Sequence, residues 1–400
     1  AVAAAAALTA TSAFAEITFG AWLRVITGVG SNGEDVVMGT TNSWGGVRPA
    51  RLNAAGTSED GKAGFKLDFY FENDEIWGHD HDIRIGDNGY LWVKPIDQIQ
   101  LSIGKFDGGE TGFRGDFCYG SWNWLRPYNW IVEDEGLTFK GSHTDGLMAR
   151  ITPIDNLVVL VQLPVMNAKW GGNNNGYVAK TETEDAKNTA ADVFKNAAYM
   201  ASYSIEGVGT LKAGFFGADD EKTVEGKKYN QTGTVNVAFD LNAIENLYVT
   251  VGAFFDIADK EMGEWHEKMK FTAGASYQVS DAMKFSVSGG YVKYMDKCSW
   301  LGNKDNAFQI GAGVDYVIMD GLTLNADVRY KNVGYGKKGD DGSVSFLAGV
   351  VKSVGGNASL QAGFQGSTNG CGLVQADTGI PAVENDDFVW AIPVGLSVFF

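Results

Sequence analysis

A 400-residue chain could hold two or three soluble domains, yet 53 glycines and only 7 prolines run through it with no hinge-like linker or composition break. The net charge of −17, with no basic patch against it, excludes nucleic acid as a partner, and four histidines leave little material for catalysis. No apolar run approaches the roughly 20 residues of a membrane helix, but a mean hydropathy of −0.12 is no argument for solubility, because alternating strands hide their apolar residues from window averages.

Residues 1–15 form a small, Ala-rich apolar stretch ending in Ala13-Phe14-Ala15. This reads as the back half of a secretory signal peptide with an A-x-A cleavage site. The expected domain organisation is therefore a leader remnant over 1–15 and one domain over 16–400. From Glu16, the residues Ile17, Phe19, Ala21, Leu23 and Val25 alternate with Thr18, Gly20, Trp22 and Arg24, the period of a strand. After a Gly/Asn/Ser loop, a weaker strand is expected over 47–56, with Pro49 as a misfit. The third is clear: Ala63, Phe65, Leu67, Phe69 and Phe71 on one face, Gly64, Lys66, Asp68, Tyr70 and Glu72 on the other. In the fourth, Leu91 and Val93 alternate with Tyr90 and Trp92, and Arg84 lies on the polar side.

A repeat then emerges. Asp97-Gln98, Glu245-Asn246, Asp281-Ala282 and Asp320-Gly321 each precede an apolar/polar alternation, the hairpin signal. The same logic pairs 146–152 with 157–163, 198–205 with 211–216, and 234–240 with the strand at Leu247. It pairs 271–278 with the strand at Met283, 308–318 with 322–331, and 344–350 with 358–365. The last fourteen residues carry Phe388, Trp390, Ile392, Val394, Leu396, Val398 and Phe400 as one unbroken apolar row. Val389, Ala391, Pro393, Gly395, Ser397 and Phe399 form the smaller alternate row; Pro393, lacking an N–H, is expected to mark a bulge. About eighteen strands result, and sixteen or twenty fit the same pattern. Short turns alternate with longer polar loops throughout, which predicts an all-β fold: an antiparallel, up-and-down transmembrane β-barrel. An even count leaves no edge unpaired in lipid.

The final row, ending on an aromatic residue, resembles the carboxy-terminal assembly signal of bacterial outer-membrane β-barrels, with Trp390, Leu396, Val398 and Phe400 at the signal positions. The resemblance implies the outer membrane, its lipid, and the barrel-assembly machinery as partners. The longest connections are 107–143 and 164–195. The first follows the fifth strand and holds Trp122, Trp124, Tyr128 and Trp130 close together, more large aromatics than a loop in free solvent retains. Its position resembles that of the loop that general bacterial porins fold into the channel. The resemblance implies an inward constriction; a self-packed external lid or a subunit contact is the alternative.

Asp107, Glu110, Asp116, Glu133, Asp134 and Glu135 lie in that loop with Arg114 and Arg126, while Arg24, Arg51, Lys66, Arg84 and Arg150 fall on the lumen parity of the strands. Porins set wall arginines across from loop carboxylates, so the resemblance implies a transverse field at the narrowest point. Taken singly, each of these bases reads as a hydrated lumen residue. His79-Asp80-His81-Asp82 reads as a solvated loop, and no triad or metal motif stands out, so neither enzyme activity, cofactor nor metal is expected. Three cysteines, Cys118, Cys298 and Cys371, allow one disulfide or none, and all three are expected on the outer rim. The expected function is an outer-membrane channel passing small hydrophilic solutes and ions by diffusion, moderately cation-preferring, with a homotrimer as one assembly. A sugar- or nucleoside-selective channel, and a closed barrel acting as a surface adhesin, are the alternatives.

Overall fold

The computed structural model describes residues 16–31, 34–42, 50–72, 82–106, 144–165, 189–263, 266–298, 303–333, 342–355, 357–368 and 388–400. Among them, antiparallel hydrogen bonding links nineteen strand segments into one sheet. Two segments, Val36–Asn42 and Ala50–Thr57, pair with the upper and lower halves of the first strand and count as one stave. Eighteen staves remain. In chain order they are β1 (Glu16–Ser31), β2 (the two segments just named), β3 (Ala63–Glu72), β4 (Asp82–Ile96), β5 (Ile99–Phe106), β6 (Thr144–Ile151), β7 (Leu157–Leu163), β8 (Ala198–Ile205) and β9 (Gly209–Val224). There follow β10 (Lys227–Ile244), β11 (Leu247–Ala258), β12 (Glu267–Ser280), β13 (Met283–Cys298), β14 (Lys304–Met319), β15 (Leu322–Lys331), β16 (Ser343–Ser353), β17 (Ala358–Ser367) and β18 (Val389–Phe399). A one-turn-plus helix, α1 (Ala190–Lys195), precedes β8, its start fixed by a capping box between Thr189 and Asp192.

Each stave pairs with the next, and β18 pairs with β1 from Phe399 opposite Trp22 to Trp390 opposite Ser31. The barrel is closed. Phe400 extends this seam: its N–H donates to the Ala21 carbonyl (2.8 Å), and its carbonyl accepts from the Ala21 N–H (3.0 Å). Closure gives every stave a hydrogen-bonded neighbour on both sides across the membrane-spanning part, the condition for strands in lipid. The expected turn dipeptides join staves at one end; Asn246 takes a φ of 64° and Gly321 one of 67°, the left-handed geometry tight hairpins need.

Alternation sorts the two surfaces. Outward-facing Phe19, Leu91, Val287 and Ile310 are exposed on the protein alone, whereas inward-facing Asp68, Ser102, Asn236, Asn325, Ser345 and Ser397 are buried. Toward the long-connection end, the outer surface carries ring pairs from β11 to β18: Phe255 with Phe271, Phe308 with Tyr330, Phe346 with Phe364 and Phe388, and Phe364 with Trp390. Such an aromatic band marks a membrane interface.

Three expectations need correction. The upper half of β2, Val36–Asn42, was expected as loop; it pairs with Val25 to Ser31. The hairpin β9–β10 was expected to break between 216 and 234. Its strands instead run on to Val224 and from Lys227, joined at Glu225 (φ 53°) and Gly226 (φ 77°). At 16 and 18 residues these strands exceed the roughly 9–11 that cross a bilayer. Their upper part stands in water, where neither face has to be apolar, so alternation gave no signal there. It is braced by the turn after β11, where Asp259 Oδ2 accepts from the Asn230 N–H at 2.9 Å. Third, Pro393 makes no bulge: it lies inward opposite Gly28, and the register toward β17 skips Gly363 and Phe364 and resumes unshifted. The lost ladder bond is absorbed beside a glycine rather than by an inserted residue.

Cys298 lies at the long-connection end of β13, as expected, but is buried rather than presented at the rim. Cys118, Cys371, His79 to His81, His143 and residues 1–15 lie outside the described residues.

Candidate functional site

The inner wall is not uniform. On seven adjacent staves, β4 to β10, inward-facing positions hold Tyr90, Phe106, Met148, Val158, Leu160, Ala198, Met200, Phe216 and Ala238, packed into one apolar cluster. Phe106, Leu160, Ala198 and Met200 are at most 2% exposed, and the Tyr90 and Phe106 rings lie 5.1 Å apart. A barrel of this size encloses water, and its interior is expected to be polar. Burying a large apolar side chain is worth about 1.5–3 kcal/mol, so the five largest of these favour a cover over water by on the order of 10 kcal/mol. Two amides interrupt the stripe: Gln162 is fully buried, and its Nε2 donates to the Met148 sulfur at 3.5 Å, while Asn236 lies buried beside Ala238 on β10.

Elsewhere the described wall is mainly polar, with Ile26, Val292 and Leu347 as buried apolar exceptions, and several of its charges are paired across neighbouring staves. On β2, Arg51 donates from Nε to Asn53 Oδ1 (2.7 Å) and pairs through Nη2 with Asp68 on β3. Asp68 is fully buried and also accepts from Asn88 Nδ2 on β4 at 2.8 Å. The guanidinium sits 5.3 Å from the Tyr70 ring centre, a cation–π placement. On β9 and β10, Lys212 Nζ lies 2.7 Å from Asp240 Oδ2, whose other oxygen accepts from Thr250 at 2.7 Å. On β15, Arg329 Nη2 lies 3.1 Å from Asp327 Oδ2 with both side chains buried. A closed barrel with a charged, hydrogen-bonded inner wall is built to hold an aqueous path. Among the described residues no group of three or more His, Cys, Asp or Glu is arranged to hold a metal ion.

The model of one family, the Gram-negative porins, matches residues 1–336. The chain belongs to that family. It is a channel protein of the bacterial outer membrane. Solved porin-like structures share the barrel. The outer membrane channel DcaP of Acinetobacter baumannii is 10% identical, covers 96% of this chain and 97% of its own, and superposes with a TM-score of 0.50. An anion-selective porin from Comamonas acidovorans is 14% identical over 96% of this chain and 100% of its own, with a TM-score of 0.49. At these identities the likeness is one of fold. No curated protein matches the porin by sequence.

The wall residues expected from sequence do not form one ring. Arg51 and Lys66 face the lumen on neighbouring staves β2 and β3, and Arg84 stands opposite inward-facing Tyr70 in the β3–β4 register. Arg24 stands opposite buried Ser397 in the closing seam. Arg150 is apart from them: it is half-buried, one residue from the short-turn end of β6, opposite Gln100 and Leu160. The loop residues Asp107, Glu110, Asp116, Trp122, Trp124, Arg126, Trp130, Glu133, Asp134 and Glu135 lie outside the described residues. Trp390, Leu396 and Val398 point outward and Phe400 is exposed, so the apolar row faces the membrane side as expected.

Sequence reasoning missed the apolar stripe and the partner of Arg51. A signal for the stripe exists in Leu157 to Leu163, where only Gln162 breaks a run that is apolar on both parities. A strand apolar on both faces has two dry faces.

Proposed function

We propose that this porin is a diffusion channel for small hydrophilic solutes and ions, narrowed by the segment 107–143 lying against β4–β10 inside the lumen. The observation that carries the reading is the buried apolar stripe. It demands an apolar cover, and the segment that continues from Phe106 carries Trp122, Trp124, Tyr128 and Trp130. Two apolar surfaces starting at one point in the chain bury each other at the least entropic cost. The pore then runs between that segment and the polar wall.

The charge pattern supports a moderate cation preference. Arg51, Lys212 and Arg329 are each matched by a wall carboxylate, and Asp107, Glu110, Asp116 and Glu133 to Glu135 set the field at the mouth, with Arg114, Arg126 and the wall bases Arg24, Lys66, Arg84 and Arg150 in partial opposition. The reading includes delivery by the barrel-assembly machinery through the row ending at Phe400, a homotrimer surrounded by outer-membrane lipid, and no catalytic role.

Single-channel recording of the refolded porin in planar bilayers tests it. Steps whose size rises linearly with KCl, and whose zero-current potential in a salt gradient has the cation sign, are expected. A sealed bilayer would overturn the channel reading in favour of a closed surface barrel; an anion sign would remove the charge argument alone.

A further inference from the structure

We propose that the inner wall of β3–β6, between the apolar stripe and the short-turn end, is a binding subsite for a flat aromatic carboxylate, an inference that rests on the channel function above and names a solute class for it. Trp92 on β4 faces inward between outward-facing Leu91 and Val93, and is partly exposed to the lumen. Its indole packs onto the bare backbone of β3: a Cβ added to Gly64, its register partner, would fall 2.5 Å from Trp92 Cζ2. Any side chain at Gly64 would displace the ring. An indole already seated on backbone loses little freedom when a second ring stacks on it. Lys94 Nζ stands 5.3 Å from the centre of the same indole, a cation–π placement.

The charges around this ring have one sign. Lys66 is opposite Tyr90, the next inward residue above Trp92, and Gln100 on β5 is opposite Arg150 on β6. From the Lys66–Tyr90 level down to the short turns, the inward positions of β3–β6 hold three bases and no acid, in a chain whose acids outnumber its bases 49 to 32. Lys66, Lys94, Gln100 and Arg150 are all partly exposed, so a solute in the lumen meets them. Two strand spacings of about 4.8 Å and two residue rises of about 3.3 Å put the Arg150 backbone about 12 Å from that of Trp92. A ring stacked on the indole turns its carboxylate into that gap, toward the guanidinium, with Lys66 and Lys94 beside the ring. The indole face favours a flat π-system, and the bases offer the carboxylate charge-assisted hydrogen bonds. A small anion without a ring forgoes the first gain, and a neutral ring forgoes the second.

4-Hydroxybenzoate is a suitable probe, with acetate as charge without ring and phenol as ring without charge, used with the full chain refolded in detergent and in planar bilayers. Calorimetry should give saturable binding of 4-hydroxybenzoate only, and the KCl current should fall along the same saturation curve. Trp92→Leu should weaken binding about fivefold, the worth of an aromatic pair. Arg150→Gln should weaken it about tenfold, the worth of a charge-assisted hydrogen bond. Between about 0.1 M and 1 M salt the arginine effect should shrink while the tryptophan effect persists, a split that a merely structural role would not give. Should Trp92→Leu fail to fold, as judged by heat-modifiable migration, Lys94→Gln beside the ring is measured instead and should weaken binding about threefold. Intact KCl conductance with no saturable 4-hydroxybenzoate binding overturns the subsite. Acetate or phenol that binds as well as 4-hydroxybenzoate overturns the solute class. Binding that survives every substitution unchanged overturns its assignment to this wall. Binding without any conductance would leave the subsite standing and sink the channel reading instead.

Discussion

Two arcs of one wall, built from the same period-two strands, have opposite chemistry. From β4 to β10 the inward positions hold a buried apolar cluster among a few polar groups; from β14 to β17 they are mainly amides, hydroxyls and charged groups, with Leu347 among them. The outer surface makes no such distinction, being apolar on both arcs. The difference teaches that in a wide barrel the inner wall is two surfaces. In the function proposed above, the first is the seat of segment 107–143 and the pore runs past the rest of the wall. The first is stabilised by burial of carbon and the second by hydrogen bonds and charge matching, so substitutions should act on them in different ways.

The largest effect is expected at the seat. Leu160 is fully buried there, and Leu160→Ala should cost about 3 kcal/mol of packing. That shifts the covered-to-uncovered ratio about a hundredfold. Leu160→Asp should act more strongly, since a carboxylate cannot sit dry without a partner. Both variants should open a wider path, seen as larger single-channel steps with no loss of heat-modifiable barrel. Steps of wild-type size in the aspartate variant would mean that the stripe seats nothing that borders the pore.

A smaller effect is expected from the matched pair on the polar side of the lumen. Asp68→Asn keeps the Asn88 contact geometry but strips the counter-charge from Arg51. The zero-current potential should move toward anions at about 0.1 M salt and return toward wild type at 1 M, as the screening length falls from roughly 10 Å to 3 Å. Arg51→Gln should move it the other way, and Arg51→Gln with Asp68→Asn should restore it. A double variant that keeps the shift of either single one would show that the two charges do not compensate each other in the lumen.

The smallest shift is expected from the loop acids. Changing Glu133, Asp134 and Glu135 to Gln, Asn and Gln should lower the cation preference without abolishing it, because Asp107, Glu110 and Asp116 remain. An unchanged potential would take this acidic segment out of the channel lining.

Most of the barrel was legible from residue order alone. Strands in lipid must be apolar outward and hydrogen-bonded laterally, and that requirement writes itself into alternation, as in Ala63 to Phe71 and Phe388 to Val398. It fell silent where lipid is absent: the ribbon through Val224 and Lys227 stands in water, and Val36–Asn42 pairs along the upper part of β1, where polar residues serve as well. The inner wall was harder. Parity placed Arg51 and Lys66 inward, but parity cannot pair Arg51 with Asp68, which lies seventeen residues away and comes into reach only once β2 and β3 are in register. Nor could it anticipate Phe106, Met148 and Met200 beside one another, since each comes from a different stave. Only Leu157 to Leu163, apolar on both faces, carried the stripe within one stretch of sequence.

Cross-linking tests the central claim, that the aromatic segment is seated on the apolar arc, most directly. In a background with Cys118, Cys298 and Cys371 changed to Ala, a cysteine replaces Ala198 on β8 or Ala238 on β10, both buried in the stripe. A second replaces Trp122, Trp124 or Trp130 in turn. Oxidation of the folded porin should trap an intramolecular disulfide for at least one loop position with the stripe, seen as a faster band on a non-reducing gel. The same loop cysteines should not bond to Ser345→Cys on the polar arc of β16. Disulfides that form with Ser345→Cys, or only between separate chains, and never with the stripe, would contradict it.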